Sequence, residues 1–451
     1  MNAWILNAKI ARPGGAFSFG HLQVADGKVA GWHEGPDVPE AARFEEARSG
    51  DAVVIDAKGR LLAPGFVDMH VHLREPGFEH KEDIATGTAS AAKGGFTAIA
   101  CMPNTRPAAD SPEIIRYILR RAAEAGHVRV LPYAAITKGQ AGEELADFAA
   151  LKEAGAIGFS DDGRGVQSAG LMKRAMELAA SLDLPIVAHC EDESLLPRGA
   201  AYTAGEFARR HGLPGIPNEA EAVHVARDIL LAEATGVHYH VCHVSTEQTV
   251  RFLRLAKSLG LKVTAEVSPH HLTLSDEDIP SPDATDWKMN PPLRSPRDVA
   301  ACVKALEDGT IDFIATDHAP HAAEEKALGP ERAPFGIHGF ETAFPLLYTT
   351  FVRSGRWTLD FLLRKMTADP ARAFGLPYGT LEPGAPADLT LIDLDREREV
   401  DPAAFLSKGR NTPLAGRRLY GWPTLTMVGG RVVWSEEDGL RRNLQTGVNK
   451  E

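Results

Sequence analysis

The sequence is poor in features that would assign it to several common classes. No apolar run approaches the ~18 residues that a membrane span requires. There are only four cysteines, Cys101, Cys190, Cys242 and Cys302, scattered and without a CxxC pair. This excludes a disulfide scaffold and fits free thiols in a reducing cytoplasm. Positive charge is in deficit, with 49 Lys and Arg against 61 Asp and Glu and a net charge of -12. That argues against nucleic acid or an anionic membrane as the main partner. It also sets a puzzle if the substrate is an anion. The first residues, MNAWILNAKIARPGG, lack the basic stretch and long apolar core of a signal peptide. A glycine-rich phosphate turn after the first apolar run is missing too, which disfavours an open dinucleotide-binding sheet. What remains is an ordinary globular composition, 44 % apolar and 24 % charged over 451 residues, long enough for a large core.

The two ends of the chain resemble each other and differ from the middle. GHLQVADGKVAGW places two strand-like runs around Asp26-Gly27, and LTMVGGRVVW repeats the device around Gly429-Gly430. Both are two-residue hairpin signals. DLTLIDL at 388–394 alternates with a period of two. Lone terminal strands cannot bury their apolar faces without partners. The ends are therefore expected to form one small β-domain, residues 1–60 with 376–451, and the segment 61–375 to be inserted between them.

That segment holds eight apolar runs of strand length, 61–72, 96–104, 128–136, 156–162, 184–190, 237–243, 262–268 and 312–317, each followed by a helical pattern. Ser111, Pro112 and Gly126 mark the ends of one such helix, and Ile114, Ile115, Ile118, Leu119 and Ala122 share one of its faces. Ser245 and Gln248 have capping-box spacing before another. Continuous apolar strands alternating with helices predict an α/β fold, a closed parallel (β/α)8 barrel of the TIM type. The segments after the fifth, seventh and eighth strands are long enough to form lids.

A barrel demands that chemistry sit at the C-terminal ends of its strands. The first strand ends in DMHVHLRE. His70 and His72, two apart, leave the same face, as two imidazoles converging on Zn²⁺ or a similar metal would. Asp68 lies one step deeper and could orient a ligand. The fourth strand ends in GFSDDG. There the bulky face of Ile157, Phe159 and Asp161 should pack outward, leaving Asp162 inward as a bridging carboxylate and Asp161 to cap the following turn. The fifth strand presents His189. The sixth contains His238, His240 and His243; parity does not separate them, and position favours His243, leaving the other two as packed histidines. The eighth ends in FIATDHAPH, where Asp317 is a metal ligand and a candidate proton shuttle. Arg74, Asn104 and Asn290 follow the first, second and seventh strands; singly they read as a surface charge and two turn residues beside proline, but converging on one mouth they would suit a planar carboxylate.

Taken together, DMHVHLREPGFEHKEDIATGTASAAKGGFTAIACMPNT, GFSDDGRGVQ, HVCHVST, MNPPLR and TDHAPHAAEEKALGPERAPFGIHGFETA resemble the dihydroorotases of the amidohydrolase superfamily, in the bacterial class I pattern. The resemblance covers nearly the whole chain and implies a β-sandwich built from its two ends. It implies reversible cyclisation of N-carbamoyl-L-aspartate to L-dihydroorotate and water in pyrimidine biosynthesis, by a cytoplasmic enzyme that acts on a small molecule. His70, His72, Asp162, His189, His243 and Asp317 match the ligands of one or two zinc ions per subunit. Arg74, Asn104 and Asn290 match the carboxylate-binding groups. His321 matches a substrate-contacting histidine, and Phe335 and Gly336 match the end of a loop, 318–336, that offers backbone contacts to the ring. The bridging position carries aspartate where many superfamily members use a carboxylated lysine. The resemblance further implies a homo-oligomer, a dimer, and admits association with aspartate transcarbamoylase. Two other functions compete: another cyclic amidase, an allantoinase or dihydropyrimidinase, and a non-catalytic scaffold of aspartate transcarbamoylase. The carboxylate-binding set disfavours the first and the filled ligand positions disfavour the second.

Overall fold

The structure is a computed structural model that describes residues 2–12, 14–40, 42, 52–437 and 439–440. Parts of both terminal segments, 43–51 and 441–451, lie outside the described residues. Strands from the two ends share one nine-stranded sheet. Asn2–Ala11 pairs with Phe17–Ala25 and Ala52–Asp56, and Leu389–Glu399 pairs with Arg418–Val428. Leu61–Pro64 joins the two halves, antiparallel to Leu389–Ile392 on one side and parallel to Lys9–Ile10 on the other. Alternate residues, such as Ala3 and Ile5, Leu22 and Val24, Leu389 and Leu391, and Leu425 and Met427, enter one core. Both two-residue turns are left-handed at both positions, Asp26 (52°) with Gly27 (74°) and Gly429 (55°) with Gly430 (77°). This is the backbone a tight hairpin needs and glycine supplies most easily.

The run 61–72 is therefore not one barrel strand. It divides at Gly65, with Leu61–Pro64 in the terminal sheet and Phe66–Val71 in the barrel. The pairing partners change there: Pro64 lies opposite Leu389 of the terminal sheet and Phe66 beside Phe96 of the barrel, and glycine fits between them, since a Cβ on Gly65 would lie 2.1 Å from Thr97 Cγ2.

The barrel ring can be traced strand by strand. Phe66–Val71, Phe96–Cys101 and Arg129–Pro132 form one parallel sheet. Ile186–Ala188, Tyr239–Val241, Val263–Val267 and Phe313–Ile314 form another. The segment around Phe159 bridges Ala134 on one side and Ile186 on the other, and so supplies the strand between them. The last seam is closed by the Val71–His318 bridge, where the His72 amide donates to His318 O at 2.9 Å. The apolar strands pack outward on amphipathic helices, as when Ile115 and Ile118 of Pro112–Ala125 enter the core.

Two helix starts differ from the sequence expectation. Ser111 precedes Pro112–Ala125 without a side-chain capping bond. Thr246, not Ser245, caps Glu247–Ser258 through Thr249 N, because the Ser245 hydroxyl donates to the buried Glu221 carboxylate. Among the described residues, no helix is long and apolar enough to cross a membrane.

Candidate metal centre and active site

The strand ends bring His70, His72, Asp162, His189, His243 and Asp317 to one place, all buried. Asp162 lies at the middle. Its Oδ1 is 3.3 Å from His70 Nε2 and 3.8 Å from both His189 Nδ1 and His243 Nε2. Its Oδ2 is 3.5 Å from His72 Nε2. Asp317 Oδ1 faces the first pair, 3.0 Å from His72 Nε2 and 3.5 Å from His70 Nε2. His189 Nδ1 and His243 Nε2 are 3.0 Å apart. Two triads result, His70–His72–Asp162 and Asp162–His189–His243, each with its ligand atoms within 4.8 Å of one another. They share one carboxylate, as a two-cation site does.

Whether these residues suit a cation is answered by what they leave unsatisfied. His70 Nε2 and Asp162 Oδ1 are buried without a hydrogen bond. Leaving such groups unpaired is costly, and a cation between them removes the cost. Imidazole and carboxylate together suit a transition metal. The residues therefore fit a metal. Charge within the cluster is already strongly coupled. Burial raises the Asp317 carboxyl, but His70, His72 and His243 outweigh it and hold Asp317 below the ordinary carboxylate range. Burial likewise lowers His70, but Cys242, Asp162, Glu266 and Asp317 raise it well above a normal histidine.

Backbone strain gathers here as well. Arg74 (φ 62°), His243 (34°) and Asp317 (48°) are left-handed without being glycine. Such residues cost of order 1–3 kcal/mol each and persist where the surroundings enforce them.

Residues beyond the ligand set fix the rings. Glu266, in the seventh strand, was missed by sequence reading. Its Oε1 accepts from His70 Nδ1 at 2.7 Å, and its Oε2 lies 3.1 Å from His240 Nε2. Burial raises Glu266, but His70 and His240 override this and lower it to about 2, so it is an anion at neutral pH. Asp68 does not orient a histidine ring. It accepts from the His70 amide and from the Thr316 amide and hydroxyl, tying the first strand to the eighth. Asp161 does not cap its own turn. It accepts from the Ile136 and Thr137 amides and the Thr137 hydroxyl of the neighbouring strand end. His238 and His240 stay outside the ligand cluster, and each contacts Thr264 Oγ1 at 2.8 Å.

A cavity of about 170 Å³ opens on the ligands and is lined also by Arg74, Asn104, Asn290, His321, Phe335 and Gly336. Its size suits a small molecule. Burial lowers Arg74 to about 10 against the pull of Asp317 and Asp162, so the guanidinium stays charged at neutral pH. Arg74 Nε donates to Pro320 O at 3.2 Å. Asn104 Oδ1 accepts from His72 Nδ1 at 3.0 Å, and Asn290 Nδ2 donates to Glu191 Oε2 at 3.1 Å. Burial, with Arg74, Lys81 and Lys326 nearby, holds His321 well below its ordinary value. The neutral ring donates from Nε2 to Phe335 O at 2.7 Å. Gly336 lines the cavity, but its N–H already donates to Lys288 O at 3.0 Å.

Residues 59–249 match the Dihydro-orotase-like family. The dihydroorotase of Geobacillus thermodenitrificans is 58 % identical over 436 residues, covering 97 % of this chain and 99 % of its own length. The chain belongs to the dihydroorotase family. The dihydroorotase of Brevibacillus brevis is 62 % identical over 380 residues, 84 % of this chain and 89 % of its own. Among solved structures, the L-hydantoinase (dihydropyrimidinase) of Arthrobacter aurescens superposes with a TM-score of 0.84 at 27 % identity, over 97 % of both chains. The dihydropyrimidinase of Brevibacillus agri gives 0.83 at 22 %, over 97 % of this chain and 96 % of its own, a likeness of fold. Dihydroorotases and hydantoinases thus share the amidohydrolase barrel, and the high sequence identity lies with the dihydroorotases.

Proposed function

We propose that this chain is a zinc-dependent dihydroorotase, catalysing the reversible cyclisation of N-carbamoyl-L-aspartate to L-dihydroorotate and water in pyrimidine biosynthesis. The observation that carries the reading is the pair of ligand triads sharing Asp162, with the charged Arg74 on the same small cavity. His70, His72, Asp162, His189, His243 and Asp317 would hold one or two zinc ions. Such an ion supplies Lewis-acid polarisation of a carbonyl and lowers the pKa of water toward neutrality.

The chain's own residues do the rest. Arg74, with Asn104 and Asn290, grips the substrate carboxylate and places the ring amide carbonyl over the ligand cluster, an effect of orientation. His321 and the Phe335–Gly336 strap border the ring. In the hydrolytic direction water adds to that carbonyl carbon and the ring C–N bond breaks. Asp317, held ionised, accepts the proton of the attacking water and delivers it to the departing nitrogen. The biosynthetic direction runs these steps in reverse.

The same reading takes the segment from Phe66 to residue 375 as the catalytic barrel, and the two ends of the chain together with Leu61–Pro64 as its β-domain. It makes the enzyme a cytoplasmic homodimer able to associate with aspartate transcarbamoylase. A three-substrate assay tests the central reading. Turnover of dihydroorotate, with little of dihydrouracil or allantoin, is expected. Turnover of either of the latter with none of dihydroorotate would assign the chain to another cyclic amidase.

A further inference from the structure

Ala319, His321, Phe335 and Gly336, at the two ends of the strap 319–336, line the substrate side of the cavity, and this strap has little regular structure of its own beyond the short helix Ala323–Lys326. Its two ends are nevertheless fixed, and by one side chain from far along the chain. Asn411 is buried in the C-terminal segment that precedes the strand Arg418–Val428. Its Oδ1 accepts from the His321 amide at 3.1 Å, and its Nδ2 donates to Gly336 O at 2.9 Å and Ala319 O at 3.4 Å. Its own carbonyl accepts from the His338 amide at 2.7 Å. Close packing holds the two segments together: a Cβ on Gly409 would lie 2.4 Å from Pro320 Cβ.

Gly336 is gripped from a second side. Buried Lys326 donates from Nζ to Gly336 O and Pro334 O at 3.1 Å each, and to Lys288 O at 3.2 Å. A Cβ at Gly336 (φ 136°) would meet Ala319 O at 2.6 Å, so the two strap ends touch. The substrate groups hang from this joint. His321 follows Pro320, whose carbonyl accepts from Arg74 Nε, and His321 Nε2 donates to Phe335 O.

We propose that Asn411 is a positioning residue for the substrate side of the site. One amide joins both strap ends and through them sets the placement of His321 and Arg74, with Lys326 as the second latch. Only an amide serves here, since it accepts one N–H and donates to two carbonyls; a carboxylate of the same shape cannot donate. The proposal rests on the reading of His321 and Arg74 as substrate-binding groups.

Asn411→Asp and Lys326→Met, assayed in the full-length metal-loaded enzyme with dihydroorotate, test it. Asn411→Asp removes the donor to Gly336 O and Ala319 O, Lys326→Met the donor to Gly336 O, Pro334 O and Lys288 O, and the loosened placement of His321 and Arg74 predicts a KM raised roughly 5- to 10-fold. The turnover number and the bound metal should stay close to wild type, which a merely structural defect would not allow. Wild-type turnover with KM unchanged in both variants would overturn the latch and leave the functional reading intact. No dihydroorotate turnover by the wild type would overturn both. Loss of the fold or of the metal in both variants would also overturn it, because a positioning role requires the metal cluster to survive.

Discussion

The apolar core of the terminal sheet and the barrel mouth are both buried and are built on opposite principles. In the sheet, alternation places Ile5, Leu22, Leu389 and Met427 in one apolar core, and left-handed backbone falls at hairpin turns such as Asp26–Gly27. In the mouth, four histidines and two aspartates are buried against one another, and His70 Nε2 and Asp162 Oδ1 have no hydrogen bond. There the left-handed backbone is carried by Arg74, His243 and Asp317. The sheet lowers the free energy of the fold, whereas the mouth raises it unless a cation is held. Stability and activity should therefore separate when the two regions are perturbed one at a time.

The sharpest separation is expected at Asp317. Asp317→Asn keeps the shape but removes the proton carrier, and a general acid–base group contributes about 10²- to 10⁴-fold. Turnover of dihydroorotate should fall by that order with the circular dichroism spectrum unchanged; normal activity would remove Asp317 from the role. Glu266→Gln comes next. It keeps contacts to His70 and His240 but loses the anion behind the His70 ring, and such partners are worth ~10–100-fold in metal affinity. Competition with a chelator measures this, and unaltered affinity would make Glu266 a packing residue only.

Arg74→Ala should act on substrate rather than metal. A KM raised at least ~10-fold is expected from losing a charge-assisted carboxylate contact, with metal content retained. An unchanged KM would contradict the assignment. The smallest effect on chemistry should come from the sheet. Leu389→Ala should cost ~2–5 kcal/mol of stability, read as a lower denaturation midpoint, with turnover per folded molecule the same. A matching fall in turnover would mean that the two regions are not separable.

The two regions were also unequally legible in the sequence. The hairpins and the alternating strands follow from local chemistry, and the ligand positions from a rule of topology. If eight strands run parallel in a barrel, reactive groups belong at their C-terminal ends, and His70, His72, His189 and Asp317 stand there. Parity separated Asp162 from Asp161, because Phe159, on the Asp161 face, stacks on Phe148 in the outer core. Contacts between distant strands were not legible. Asp68 reads as a group that orients a metal ligand; it accepts from the nearby His70 amide, but it also bonds to Thr316, 248 residues on. Glu266 sits inside the apolar run VTAEV, where nothing local says that its carboxylate meets His70. Asn411 lies 90 residues from the His321 amide it fixes. The split of 61–72 at Gly65 was hidden for the same reason, since the partners on either side of it, Leu389 and Phe96, are on distant strands.

The two triads sharing Asp162 are the centre of this account, and metal removal probes them most directly. The protein should be stripped with a chelator, then titrated with Zn²⁺ while dihydroorotate turnover and bound zinc are followed together. Turnover should vanish in the stripped protein and return in proportion to zinc, saturating at no more than about two ions per chain, as a shared-carboxylate site allows. Full turnover by the metal-free protein, or zinc bound at that stoichiometry without turnover, would contradict this.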